Sequence, residues 1–155
     1  MTAIATSPDQ LRELYRELIL DHAQSPRHFG KLPNASHSAR GLNPLCGDRL
    51  TIYLSVDDER IVDARFEGSG CAISVASASL LTDTVIGLRT DEAMTFLDAV
   101  IGSLTGAGDA ADVELGKLAA LRGVRDYPSR VKCATLAWRA LGAAINQSSA
   151  PATTE

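Results

Sequence analysis

Apolar and polar positions alternate most regularly between Leu50 and Glu67. Leu50, Ile52, Leu54 and Val56 alternate with Thr51, Tyr53 and Ser55. After the turn Asp57-Asp58-Glu59, Val62, Ala64 and Phe66 alternate with Asp63, Arg65 and Glu67. Two period-2 runs around a short polar turn predict an antiparallel hairpin with one buried face. Elsewhere the period is helical. Leu11, Leu14, Tyr15, Leu18 and Ile19 recur at i, i+3, i+4, i+7 and i+8, behind a start built from Ser7 at the N-cap, Pro8 at N1 and Gln10. This helix should end before Pro26, because the residue preceding a proline avoids the helical region. Residues 25 to 44, rich in Pro, Gly, Asn and Ser, read as an extended loop with a short strand near Ala39 to Leu42.

Gly68-Ser69-Gly70 breaks the second strand. Cys71 then opens a helix to about Ile86, with Gly87 as its C′ residue. Its many Ala and Ser residues let neighbours approach closely. A helix from about Thr90 to Leu104 carries Ala93, Leu97, Val100, Ile101 and Leu104 on one stripe. Gly106 to Asp109 reads as a loop, Val113 to Leu121 as a short helix ended by Gly123. The last helix runs from near Pro128 to about Asn146 and buries Ala134, Trp138, Leu141 and Ile145. The pattern predicts a single α+β domain over residues 7–147, with a small antiparallel sheet of about three strands packed against several helices, and a disordered tail over 148–155.

Composition narrows the function. At 155 residues and 45% hydrophobic the chain can bury a real core, and it is too short for two ordinary domains. Fifteen basic against nineteen acidic residues give a net charge of −4. With no basic run, that charge argues against nucleic acid as a partner. No apolar run approaches the ~20 residues of a membrane span, and the start MTAIATSPDQ has no secretory pattern. The expectation is therefore a cytoplasmic protein.

The three cysteines, Cys46, Cys71 and Cys133, form no even disulfide set. Each sits at the end of an element. Cys46 lies in a loop before Gly47 and Asp48, Cys71 at a helix N-terminus, whose dipole favours a thiolate. Cys133 lies in the first turns of the last helix, near Arg130 and Lys132. Three thiolates and the Asp48 carboxylate make a set suited to tetrahedral zinc or to part of an iron–sulfur cluster. Their spacing, with no C-x₂-C pair, leaves inert buried thiols equally open.

Other candidates are weaker. His22, His28 and His37 lie on or after the first helix, where a histidine commonly complements the dipole. A Cys46–His–Asp48 nucleophilic triad lacks an oxyanion motif. Gly68-Ser69-Gly70 lacks the remaining features of a phosphate loop and reads as a turn. Arg130, three residues before Cys133, has a modest claim to the site.

Three segments resemble the cysteine motifs of the IscU/NifU-type iron–sulfur assembly family. They are Asn43-Pro44-Leu45-Cys46-Gly47-Asp48, Glu67-Gly68-Ser69-Gly70-Cys71-Ala72-Ile73-Ser74 and Arg130-Val131-Lys132-Cys133-Ala134-Thr135-Leu136-Ala137-Trp138. Residues 15–30, with Asp21-His22 and Ser25-Pro26-Arg27, resemble the family's first helix and following loop. Within the family the chain is similar to the SufU branch. Lys132 stands where the IscU branch has a histidine, Asp126 to Arg130 replaces the IscU chaperone-binding segment, and the long Cys71–Cys133 interval resembles the SufU insertion.

The resemblance implies zinc held by Cys46, Asp48, Cys71 and Cys133. It implies a zinc-dependent sulfurtransferase in which Cys46 accepts persulfide sulfur from a SufS-type, pyridoxal-phosphate cysteine desulfurase, whose histidine takes the vacated zinc position. Arg130 would orient the Cys46 loop or pair with Asp48 or a partner carboxylate, and the sulfur would pass toward a SufBCD-type scaffold. The alternative it implies is a scaffold that builds an iron–sulfur cluster on the same ligands.

Overall fold

The computed structural model describes residues 8–44, 47–105, 115–147 and 151–154. Helix α1 (Pro8–Gln24) leads into strands β1 (His37–Asn43), β2 (Asp48–Asp57) and β3 (Arg60–Ser69). Helices α2 (Ala72–Val85) and α3 (Thr90–Thr105), a 3₁₀ helix (Gly116–Val124), α4 (Pro128–Ile145) and β4 (Ala152–Thr153) follow. The sheet order is β3-β2-β1-β4. The first three strands are antiparallel, and β4 runs parallel to β1.

The hairpin forms over the expected residues, but at its turn end Val62 faces out, 50% exposed, and Ile61 takes the inward place, because the register shifts between Ser55 and Val56. Leu50, Ile52 and Leu54 of β2 and Ile61, Ala64 and Phe66 of β3 turn one face of the sheet into the core. Burying each of these larger side chains contributes about 1.5–3 kcal/mol before entropy is counted. Helix α4 crosses that face with Leu136, Trp138 and Leu141 fully buried. Helix α2 packs between α1 and α4, and its small residues permit the close approach: Ser74, Ala76, Ser77, Ala78 and Ser79 are all buried. The buried hydroxyls are satisfied across the interface, as where Ser77 Oγ donates to the Ala134 carbonyl.

The sheet has four strands rather than about three. Strand β1 is longer than the short strand expected because its buried positions, Ala39, Gly41 and Asn43, are small or polar and leave no apolar alternation. The fourth strand comes from the C-terminal segment, where Ala152 and Thr153 pair with Gly41 and Leu42. The short helix before α4 is 3₁₀ and continues through Gly123 to Val124. The expected N-cap Ser7, the 106–109 loop and the Val113 helix start lie outside the described residues. Among the described residues no helix is long and apolar enough to cross a membrane.

Candidate metal centre

The turn between β1 and β2 sets the first side chain in place. Asn43 pairs with Asp48 at the end of the ladder, and the Gly47 N–H donates to the Asn43 carbonyl at 2.8 Å. Gly47 has φ +73, a left-handed conformation that suits glycine at so tight a turn. Asp48 shares the inward face of Leu50 and Ile52, so strand alternation buries its carboxylate under the helices. Leu45 and Cys46 lie outside the described residues, between the described Pro44 and Gly47.

The second side chain comes from the β3–α2 junction. Cys71 is the N-cap residue of α2, with extended backbone at φ −69 and ψ 167. Its own N–H donates to Asp48 Oδ1 at 3.0 Å. That contact requires Gly70, because a Cβ there would stand 2.8 Å from Asp48 Oδ1. The third is Cys133, buried on the second turn of α4. One ligand atom from each of Asp48, Cys71 and Cys133 lies within 4.8 Å of the others.

Two residues that the sequence patterns had not singled out complete the surroundings. Ser74, one turn after Cys71 and fully buried, donates to Asp48 Oδ2 at 2.8 Å and sits 3.6 Å from Cys71 Sγ. Asn43, 1% exposed, donates through Nδ2 to Asp48 Oδ2 at 3.2 Å and lies 3.7 Å from Cys133 Sγ. Among the described residues its buried Oδ1 has no hydrogen-bond partner. The i, i+3 spacing of Cys71 and Ser74 was a usable signal for the serine. Nothing in the Asn43 pattern marked its side chain as inward.

The donor set is electron-rich throughout. Burial pushes the Cys133 thiol well above its ordinary range, and the adjacent Cys71 and Asp48 push it the same way. Two sulfurs and a carboxylate oxygen converging on one point suit a divalent cation. In tetrahedral zinc such atoms stand about 3.5–3.8 Å apart, within the spread seen here. The residues fit zinc and leave a fourth position.

The other sequence candidates fall as follows. Arg130 lies over the Tyr127 ring, 5.2 Å from its centroid, and borders the cleft onto which Cys71 and Cys133 open. The three histidines have structural partners. His22 is buried with Nδ1 2.7 Å from Ser79 Oγ, and the same hydroxyl accepts the Arg27 N–H at 2.8 Å. His28 meets Thr82, and His37 meets Ser36. His22 thus pins the loop after α1 to α2, and burial depresses its pKa. At Gly68, φ +137 and the Arg49 carbonyl, 2.0 Å from where a Cβ would stand, explain the glycine as a structural necessity.

Comparison with known proteins gives the same architecture a family. The model of the NifU-like N-terminal domain matches residues 14–134. The chain is 40% identical to the zinc-dependent sulfurtransferase SufU of Bacillus subtilis over 84% of this chain and 88% of that one. It is also 40% identical to the iron–sulfur cluster assembly scaffold protein IscU of Streptococcus pyogenes, over 90% and 87%. A crystal structure of a putative iron–sulfur cluster assembly scaffold protein for the SUF system from Fervidobacterium islandicum superposes with TM-score 0.79. It is 34% identical, and 86% of this chain and 98% of that one are covered. A domain of this fold with a carboxylate and thiols gathered at one end of its sheet is an IscU/SufU-like assembly domain. The chain belongs to the NifU-like N-terminal domain family.

Proposed function

We propose that this protein is a zinc-dependent sulfur acceptor for iron–sulfur cluster assembly in the cytoplasm. Its sulfur donor would be a SufS-type cysteine desulfurase and its recipient a SufBCD-type scaffold. The observation that carries the reading is the convergence of Asp48, Cys71 and Cys133 within 4.8 Å. The similarity to a zinc-dependent sulfurtransferase over most of both chains supports it. Asp48, Cys71 and Cys133 would hold zinc together with Cys46, two residues before Asp48 in the chain. Bound zinc keeps its sulfur ligands deprotonated at neutral pH.

In the transfer step the Cys46 thiolate attacks the terminal sulfur of the donor's cysteine persulfide. The new bond joins Cys46 Sγ to that sulfur, the donor's S–S bond breaks, and the donor cysteine leaves as thiolate. The proton on the terminal sulfur travels with it, and no external oxidant or reductant is consumed. Arg130, which lines the same cleft as Cys133, would meet a partner carboxylate.

The test is alanine production by the cognate desulfurase with the protein either zinc-loaded or zinc-stripped. Multiple-turnover stimulation by the zinc form alone, abolished by Cys46→Ala, is the expected result. Undiminished stimulation by that variant would refute the relay. The scaffold reading rests on the IscU-named relatives and the same donor set. Reconstitution of a cluster with stoichiometric iron and sulfide, and its transfer to an apo-acceptor, would favour it instead.

A further inference from the structure

Beside the metal centre, α1, the 3₁₀ helix and the start of α4 enclose a cleft of about 1090 Å³, with Cys71 and Cys133 among its walls. Its charge is at odds with the rest of the molecule. The chain has a net charge of −4, yet Arg12, Arg16, Arg122 and Arg130 line the cleft and no described lining residue is acidic. Among the described residues Arg16, Arg122 and Arg130 make no ion pair, whereas Arg27, Arg89 and Lys117 are each paired elsewhere. Like charges gathered at one surface repel one another, and an arriving opposite charge relieves that cost. The cleft also carries exposed apolar surface: Tyr127 is 54% and Leu20 43% exposed. Arginine and tyrosine around a partly apolar depression is the composition of protein interface centres, more than of a site for a small inorganic anion.

We infer that this cleft is the docking surface for an acidic segment of the protein that supplies the sulfur. The inference rests on the proposed sulfur-acceptor function and extends it to the chemistry of the partner. Carboxylates of the donor would pair with Arg16 and Arg122, and an apolar residue between them would pack on Leu20 and Tyr127. The arginines would then raise the encounter rate and align the donor over the end of the cleft where the thiols lie.

The experiment measures binding of the full-length, zinc-loaded protein to the desulfurase by calorimetry, and in parallel the concentration giving half-maximal stimulation of alanine production. The variants are Arg16→Glu, Arg122→Glu and, as a control on the open face of the sheet, Arg65→Glu. Zinc content and circular dichroism establish that each is folded, and Arg122→Gln serves if the reversal at 122 disturbs the 3₁₀ helix. Each cleft reversal is expected to weaken binding about tenfold and raise the half-maximal concentration to match, with the maximal rate unchanged. The wild type should lose affinity as salt rises from about 50 to about 300 mM. Arg65→Glu should bind as wild type.

Equal losses for Arg65→Glu and the cleft variants would show diffuse charge and overturn the proposal. So would unchanged affinity in the cleft variants. A cleft reversal that instead alters self-association of the protein alone would assign the cleft to a second copy and overturn it as well. If the wild type neither binds nor stimulates the desulfurase, the sulfur-acceptor reading itself falls. Stimulation that is insensitive to the cleft arginines removes only the docking surface.

Discussion

Replacing Asn43 with leucine separates two roles that a buried polar side chain near a metal centre can have. Asn43 Nδ2 donates to Asp48 Oδ2 at 3.2 Å, and a hydrogen bond to a charged group is worth about 1.5–3 kcal/mol. Asn43 Oδ1 is buried with no partner among the described residues, so its removal recovers part of a desolvation penalty of about 1–3 kcal/mol. Leucine is close in shape, and Ser74 still donates to Asp48. The fold should therefore lose only about 1 kcal/mol, a drop of roughly 2–4 °C in Tm for a domain of this size. Zinc affinity should fall much further. Residues that orient metal ligands are typically worth about 10–100-fold, which matches the gross energy of the lost hydrogen bond. Competition against a chromophoric chelator measures that affinity, and thermal melts of the zinc-free and zinc-loaded forms measure the stability. Asn43→Asp should be worse on both counts, since it sets a second carboxylate against Asp48. Unchanged zinc affinity in Asn43→Leu, with any change in Tm, would refute the idea that Asn43 orients Asp48 for a metal.

Other expectations follow from single contacts. Gly70→Ala should cost about tenfold in zinc affinity with the circular dichroism spectrum preserved, because the added Cβ would displace Asp48 from the Cys71 N–H. Chelator competition decides it. In a series of alanine variants, Cys71→Ala and Cys133→Ala should lower the Tm of the zinc-loaded protein more than Cys46→Ala, since α2 and α4 hold the first two; three equal melting points would contradict this. His22 has a folded pKa below its ordinary value of about 6.5, chiefly through burial and secondarily through Arg27, with Asp21 and Asp83 opposing. Its neutral form thus contributes stability that is complete above about pH 6.5 and is lost as pH falls toward the folded pKa. Denaturant melts between about pH 5 and 7 should show a shallower dependence in His22→Gln than in the wild type; identical slopes would exclude His22 as the source.

The parts of the fold legible in the sequence are those whose burial is apolar. The β2–β3 hairpin and α4 follow from their periods because one face of each must leave water; α1 forms where its period puts it, yet Leu14 of its stripe is 55% exposed and Tyr15, Leu18 and Ile19 are only half-buried. Strand β1 was only partly visible, since Ala39, Gly41 and Asn43 carry no apolar signal and Gly41 is there to let Leu136 approach. Strand β4 could not be read at all, as two residues of a Ser-, Ala- and Thr-rich tail owe their pairing to the free edge of β1. At the site, Asp48, Cys71 and Cys133 were named from residue type and element ends. The polar shell of Asn43 and Ser74 depends on strand alternation and helix phase at their ends, which a single-residue pattern does not convey. His22 illustrates the same limit: a histidine in the last turn of a helix suggested a dipole partner, and burial against Ser79 makes it a tertiary clamp.

That polar shell bears on how the site can exist both with and without a cation. Asp48 is buried, and a bare carboxylate there would be costly. It is instead held by the Cys71 N–H, the Ser74 hydroxyl and the Asn43 amide. Cys133 meets the same problem differently, because burial and its acidic neighbours favour the neutral thiol. The centre thus sets a carboxylate already held by three donors beside a sulfur whose burial favours the neutral thiol. Binding a divalent cation must then expel the Cys133 proton, so metal affinity should rise with pH. The same logic applies to a ligand that leaves: charge uncovered at Asp48 is already partly met by three donors. A centre built so can exchange one ligand without collapsing, which a sulfur relay through Cys46 requires and a purely structural zinc site does not.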